Sequence, residues 1–304
     1  MAWFLTKKKK SAGRSTKKPS PTASQRRQQV LTAGAVIALA ALIVAGWYVG
    51  EKRLRQYIET TRQTQTAPDS VVLLDRPAWM NDDIAKQVQA RASEALSHNP
   101  NPLDGASLQE AAKVLGMLSW VKQVKQVERL GDGRVAVAAA YREPVAVIED
   151  NNGYAHLVDR EGVVLAGLGK LASRAELKAQ TPLPLIVGVN VPPPHFAGQQ
   201  WSSDAVAAGL ALAQLLADEP FAKQILACDA SLHDASGRVR LALLTQSGQV
   251  DWGYPPGREM GIEPPAQEKL QRLRDLATRH GRIDLGGQRV FIYGDQVRYQ
   301  PMNP

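Results

Sequence analysis

The chain has 304 residues but only one cysteine, Cys228. A single thiol cannot form an internal disulfide, so small scaffolds that depend on disulfides are excluded. Cys228 lies in the apolar run ILACDASL. A cysteine in such a run is typical of a small buried hydrophobic residue, and we expect it in the core.

Motifs for catalysis and cofactor binding are also missing. The five histidines are not spaced as zinc ligands, and neither a GxSxG elbow nor a P-loop occurs. The segment GLGKLA, 167–172, matches a loose dinucleotide-binding pattern. No acidic residue lies between Glu176 and Asp204, however, where such a site needs one. We therefore interpret the segment as a loop and predict no enzyme activity, catalytic residue, cofactor, metal or small-molecule substrate.

The net charge of +8 is confined to one end of the chain. Residues 1–29 hold nine of the 37 Lys and Arg and no acidic residue, which leaves 28 basic against 29 acidic residues in 30–304. A nucleic-acid interface needs basic residues clustered within a domain, together with aromatics that stack on bases. We see no such cluster and predict no nucleic-acid partner.

An uncharged run, 30–49, is long enough to cross a bilayer and ends in the interfacial aromatics Trp47 and Tyr48. A cleaved signal peptide is the alternative, but its apolar core is shorter and ends in small residues. We predict a single-pass helix in the cell (inner) membrane. Residues 1–29 are then a disordered basic tail in the cytoplasm, and 50–69 are a linker to domains outside the cytoplasm.

Residues 70–144 predict one domain with the order strand, helix, helix, strand, strand. Asn81 or Asp82 caps the first helix, and Ser107 with Glu110 forms a capping box for the second. The final strand carries a proline, Pro144, in the stretch AAAYREPVAVIED. Because proline cannot donate to a strand ladder, Pro144 indicates a strand edge, a bulge or a crossing between two structural units.

Residues 145–299 predict a second, mostly antiparallel β domain with two helices, followed by a tail at 300–304. Turn sequences separate short apolar strands. One helical pattern lies within 201–216, entered through Ser202, Ser203 or Asp204, and a second occupies 267–279. The last predicted strands are 282–285, 290–293 and 296–299. The fold class is therefore α+β.

Several short motifs, taken in order, resemble the FtsQ/DivIB family of bacterial division proteins. Each is weak alone, but together they span residues 70–293. They are SWV at 119–121, YREPVA at 141–146, LVDREGVV at 157–164, PLPLIVG at 182–188, WG at 252–253, KL at 269–270 with Leu273, and IDL at 283–285.

The resemblance implies a POTRA domain at 70–144 and a family-type β domain at 145–299. Arg142, Glu143 and Pro144 would then form the junction between the two domains. Asp159 and Gly162 would be hairpin residues. The carboxylates of Asp159 and Glu161 would then not form a catalytic pair.

The resemblance further implies a non-enzymatic scaffold at the division site. Its POTRA domain would help recruitment, and its C-terminal sheet edge would bind membrane proteins of the FtsB and FtsL type by strand addition. Phe291 and Tyr293 share one strand face, where they pack either against a partner or in the core. The candidate partner-binding residues are Arg282, Ile283, Asp284, Leu285, Gly286, Val290, Phe291 and Tyr293.

A POTRA-bearing module for envelope transport or assembly is the alternative function. An anchored hydrolase would need a nucleophile, a base and oxyanion donors, and the sequence shows no such set.

Overall fold

The computed structural model describes residues 45–53, 70–97 and 105–302. The predicted tail at 1–29, most of the predicted anchor at 30–49 and most of the linker lie outside these residues. Residues 45–53 are helical. Within the described ranges, no helix has both the length and the apolar character that crossing a membrane requires.

A three-stranded sheet and two helices form the first sheet unit, residues 70–141. The strand order is β1-β3-β2, with β1 parallel and β2 antiparallel to β3. The predicted order of strand, helix, helix, strand, strand is confirmed. The elements are β1 (Val71–Leu74), α1 (Asp82–Ser97), α2 (Ala106–Gly116), β2 (Val121–Arg129) and β3 (Val135–Tyr141).

The two helices of this unit begin differently. The Asn81 side chain accepts a hydrogen bond of 2.9 Å from the Ile84 amide, as a cap of α1 should. The predicted capping box of α2 is wrong, because α2 begins at Ala106, before Ser107, and the N-cap position is occupied by Gly105. Ser107 is buried, and its hydroxyl accepts a hydrogen bond from Arg129 on β2. A tertiary contact has replaced the local one.

A nine-stranded sheet dominates the second sheet unit, residues 146–301, in the order β12-β11-β10-β9-β8-β7-β4-β5-β6. Parallel pairs join β7 to β4 and β8, and β10 to β11; the other pairs are antiparallel. The elements are β4 (Ala146–Glu149), β5 (Tyr154–Val158), β6 (Val164–Lys170), α3 (Arg174–Gln180), β7 (Leu185–Val187), α4 (Asp204–Leu216), β8 (Ile225–His233), β9 (Val239–Thr245), β10 (Gln249–Gly253), α5 (Ala266–His280), β11 (Gln288–Phe291) and β12 (Arg298–Pro301).

The structure corrects three predictions for this unit. It has three helices where two were predicted, because α3 is too short to show periodicity, although Ser173 caps it by accepting from the Glu176 amide. The glycine-containing segment 167–170 continues β6 and is not a loop. Residues 283–287 form a turn where 282–285 were predicted to be a strand.

Helix α4 packs its apolar surface on the centre of the sheet. Gly209 allows close contact, because an added Cβ there would lie 2.6 Å from a methyl group of Ile186 on β7. Cys228 is buried in the same core, as predicted, and burial raises the pKa of its thiol to about 12. A thiol with that pKa stays protonated at neutral pH.

Pro144 lies where the chain passes from one sheet to the other. The Arg142 amide donates to the Trp120 carbonyl in the first unit, and the Val145 amide donates to the Val158 carbonyl in the second. Pro144 lies between these two hydrogen bonds. It has no N–H to donate, but its position belongs to neither strand ladder, so no ladder is interrupted. The chain thus makes a crossing here, rather than an edge or a bulge within one strand.

Candidate partner-binding site

Strand β12 is the C-terminal edge of the nine-stranded sheet. All four of its residues, Arg298–Pro301, are exposed. It pairs with β11 on one side, and no further strand of the described residues follows it. Strand β11 is paired on both sides, with β10 and β12. The free backbone groups therefore lie one strand beyond Val290 and Phe291, where the sequence had placed the edge.

A groove of about 610 Å³ runs beside this edge, and we call it the C-terminal groove. One wall is the loop 254–263, which carries the exposed apolar side chains of Met260 and Ile262, and Ile262 is 81% exposed. The other wall is formed by β11, β12 and their connection, where Tyr299 is 63% exposed. Large apolar side chains at a sheet edge are uncommon unless a partner covers them.

Aromatic rings and an arginine form the floor of the groove. The guanidinium of Arg240 lies 4.3 Å from the ring centroid of Tyr293 and 5.6 Å from that of Tyr254. The rings of Phe291 and Tyr293 meet edge to face at 6.1 Å. Phe291 and Tyr293 are both half-buried and line the groove. Each therefore packs partly in the core and leaves part of its surface open to a partner, which combines the two predicted alternatives.

A carboxylate at the back of the groove holds the Tyr254 ring in place. Asp234 accepts a hydrogen bond of 2.6 Å from the Tyr254 hydroxyl and is paired with Arg238 at 2.7 Å. These contacts, the tyrosine bond foremost, hold the pKa of Asp234 far below its usual range. The same hydrogen bond raises the pKa of Tyr254, so the phenol stays protonated and continues to donate.

The turn before β11 is built around a buried carboxylate, Asp284. It accepts hydrogen bonds from Thr245 at 2.7 Å, from Arg282 at 2.9 Å and from the Gly286 amide at 3.2 Å. Burial alone would raise the pKa of Asp284, but these bonds and one from Ser247 lower it below the usual value. Asp284 is therefore ionised in the fold and holds the turn against β9 and the connection that follows it.

The predicted partner-binding residues thus divide by exposure. Ile283, Asp284 and Val290 are buried and support the edge from beneath. Arg282 and Gly286 are exposed, and Leu285 is half-buried, so contact of these residues with a partner stays a prediction.

The junction residues contribute to a cluster of ion pairs between the two sheet units. Arg142 contacts Asp159 at 2.6 Å and Glu161 at 2.9 Å, and Lys122 also pairs with Glu161. The hydrogen bond from Lys122, followed by that from Arg142, lowers the pKa of Glu161. Nearby, the Ser119 hydroxyl donates to a carbonyl of β6 at 2.6 Å.

Asp159 is the hairpin residue that the sequence indicated. Its carboxylate accepts the amides of Glu161 at 2.9 Å and Val163 at 2.8 Å, which closes the turn between β5 and β6. Glu143, by contrast, is exposed.

Across the described part of the chain, no group of three or more His, Cys, Asp or Glu side chains is arranged to hold a metal ion.

Sequence reasoning missed β12 as the edge and missed Arg240, Tyr254, Met260 and Ile262 as groove residues. Residues 296–299 were predicted as the last strand, so a signal for β12 was present. Nothing in the chain order shows that β12 lies outside β11. Glycine, proline and charge in YPPGREMGIEP, 254–264, are typical of any surface loop.

Comparison with known proteins gives one family match. Residues 146–286 match the family model described as cell division protein FtsQ/DivIB, C-terminal, which covers β4 through the Asp284 turn and ends before β11 and β12. A search of curated proteins finds no match. The family that the sequence motifs resemble is therefore the one whose model matches, and residues 146–286 are similar to the C-terminal domain of the FtsQ/DivIB cell division proteins.

Proposed function

We propose that the protein is a non-enzymatic, membrane-anchored scaffold of the bacterial division machinery. The family match supports a role in cell division. The observation that carries the proposal is the open edge of β12 beside an apolar groove. The uncharged segment 30–49 supports an anchor in the inner membrane, with the basic tail in the cytoplasm and the sheet units outside it.

The partner binds by adding a strand to β12. Backbone N–H and C=O groups of an edge strand provide affinity with little regard for sequence, and adjacent pockets provide specificity. A partner strand on β12 would cover Tyr299 and place alternate side chains in the C-terminal groove. Small division proteins of the FtsB and FtsL type, each anchored in the same membrane, are the partners that we propose.

The groove favours a partner segment that is apolar and acidic. Met260 and Ile262 offer apolar surface. Arg240 is stacked between two tyrosine rings, and among the described residues no carboxylate is recorded within ion-pair distance of it; Arg298 adds a second exposed cation. Since a partly desolvated guanidinium gains most from a carboxylate, the partner strand should carry Asp or Glu at this position.

The first sheet unit, which we propose to be a POTRA domain, helps recruit the chain to the division site. Its β-α-α-β-β order and mixed sheet support the assignment. The ion pairs of Arg142 link it to the β5–β6 turn.

Affinity purification from native membranes, read by mass spectrometry, tests the proposal. Full-length chain is compared with Tyr299→Pro and Gln300→Pro. Successive N–H groups of a strand point to opposite sides, so one of these two prolines blocks the outer edge and leaves pairing with β11 intact. Leu168→Pro, in the edge strand β6 at the other end of the sheet, is the matched control.

We expect small single-pass division proteins to be recovered with the full chain and with Leu168→Pro. They should be lost with one of the two proline variants of β12. Retention by both β12 variants would contradict strand addition at this edge. Recovery of secretion or outer-membrane components from every variant would favour the transport or assembly module, which the β-α-α-β-β order also fits. Depletion of the protein should give elongated cells, and cells of normal length would count against a role in division.

A further inference from the structure

Helix α5 connects the parallel strands β10 and β11 and therefore crosses over both. Its leucines, Leu270, Leu273 and Leu276, pack into the core. Two cationic side chains on the same helix, Lys269 and Arg272, do not point freely into solvent. They reach the two walls of the C-terminal groove, and each binds backbone groups there.

Lys269 closes the base of the first wall. Its side chain is completely buried, and its ammonium lies 2.7 Å from Glu263 and 3.3 Å from the carbonyls of Trp252 and Tyr254. The same Glu263 oxygen accepts the Tyr254 amide at 2.8 Å. One ion pair thus ties together the two ends of the loop 254–263, which carries Met260 and Ile262.

The backbone is shaped to admit this ion pair. Gly253 has a φ of +93°, and a Cβ at this position would lie 2.1 Å from the Glu263 carboxylate. Only glycine combines that conformation with so close an approach. An apolar residue in place of Lys269 could fill the space, but it would remove a donor from two carbonyls and leave the Glu263 carboxylate with the Tyr254 amide and no cation.

Arg272, one helical turn further along α5, holds the second wall. Its guanidinium donates to the Ile292 carbonyl at 2.8 Å, to the Gly294 carbonyl, and to the Asp295 carbonyl at 3.0 Å. These carbonyls belong to the connection between β11 and β12. The planar fork of arginine fixes the directions in which it donates, whereas the donors of an ammonium rotate on a flexible stem.

We propose that Lys269 and Arg272 are positioning residues that set the width of the C-terminal groove, so that α5 acts as the frame of the partner site. This inference rests on the proposed function, since the groove matters only if a partner enters it. Neither side chain needs to touch the partner. Each acts through the wall that it binds.

The test uses the full chain with Lys269→Met, Arg272→Met and Arg272→Lys, and Arg279→Met as the control. Arg279 is an exposed cation on the same helix, so its replacement removes the same charge without a groove contact. Three quantities are measured for each variant: hydrogen exchange of 254–263 and 292–297, thermal unfolding, and partner recovered from native membranes.

We expect Lys269→Met to raise exchange mainly in 254–263, and Arg272→Met to raise it mainly in 292–297. Each should lower partner recovery by roughly 2- to 30-fold, the range found for residues that act through others. Arg272→Lys should restore little, because the fork is lost. Arg279→Met should match the unmodified chain.

Lower thermal stability with unchanged partner recovery and unchanged local exchange would overturn the inference and leave a purely structural role. If Lys269→Met does not fold, Glu263→Gln decides the first wall, because it keeps the size and an acceptor and removes only the charge. If these variants recover the partner normally and one proline variant of β12 loses it, the inference is wrong and the proposed function stands. If both proline variants of β12 recover the partner, the proposed function itself is contradicted.

Discussion

Within the described residues, each of the two sheets has two edge strands, and β12 combines regular pairing with a groove beside it. Strand β2 is long, but two register shifts and the exposed Lys122 and Lys125 interrupt it. The edge strand β6 also carries two register shifts. In the edge strand β1, the carbonyl of Val71 already accepts a hydrogen bond from the Gln89 side chain. Strand β12 pairs without a shift.

This difference separates edges with features that hinder the addition of a strand from an edge that pairs regularly and lies beside a groove. Bulges and lysines are the usual means by which proteins prevent edge-to-edge association. The short strand β12 ends in Pro301, which limits pairing to a few residues. An open but short edge beside an apolar groove favours one defined partner over uncontrolled addition of strands.

The largest expected effect compares two glycines with similar φ angles, Gly253 at +93° and Gly133 at +88°, one in each sheet unit. Gly253→Ala would force a Cβ against Glu263, whereas Gly133 has a φ of +88° and nothing within 4 Å. We expect the first change to lower the free energy of unfolding by about 3 kcal/mol or more. The second should cost about 1–2 kcal/mol, from backbone strain alone. Urea denaturation of both variants measures the difference, and equal losses would contradict the tight fit at Gly253.

Asp284→Asn should show how much the turn before β11 depends on charge. We expect a loss of about 1–3 kcal/mol at neutral pH, because the buried donors lose an ionised acceptor. The lowered pKa of Asp284 makes its contribution complete above the unfolded value of roughly 3.9 and lost as pH falls through the folded pKa. The unmodified chain should therefore lose stability below about pH 4, and the variant should lose less over that range. Thermal unfolding across pH checks this, and identical acid limbs would contradict it.

Arg240→Gln should show whether the partner binds at the groove beside β12 or at the lysine-bearing edge strand β2. If an acidic side chain of the partner meets Arg240, its removal should lower partner recovery about tenfold. Lys125→Gln removes an equal charge from β2 and should leave recovery unchanged. Raising the salt concentration should narrow the difference between the Arg240 variant and the unmodified chain. A larger effect of Lys125→Gln would move the partner site to the first sheet unit.

The smallest effect is expected for Lys122, at the contact between the two units. Lys122→Ala removes a half-exposed partner of Glu161 and should cost under about 1 kcal/mol. Arg142→Ala should cost more, because Asp159, 6% exposed, loses the cation that it faces. Urea denaturation of the two variants provides the comparison. A larger loss from Lys122→Ala would show that the exposed pair, and not the buried one, links the units.

Local signals in the sequence were reliable where one side chain decided the outcome. Asn81 capped α1, Asp159 closed a hairpin, and Pro144 marked a break between strands. Ser107 failed as a cap because α2 begins before it, at Ala106, and its hydroxyl is bound by Arg129, 22 residues away. Residues 282–285 were predicted as a strand, but Asp284 has four side-chain and backbone donors around it and forms a turn.

The sequence by itself determined most of the elements, the order of the first unit and the resemblance to a division family. These follow from side-chain periodicity, turn residues and short motifs, which are properties of neighbouring residues. The identity of the open edge, the two walls of the groove and the buried Lys269–Glu263 pair were decided by the tertiary structure alone. Strand order in a sheet depends on pairings between distant segments, and a helix that crosses two parallel strands brings together residues that no local pattern connects.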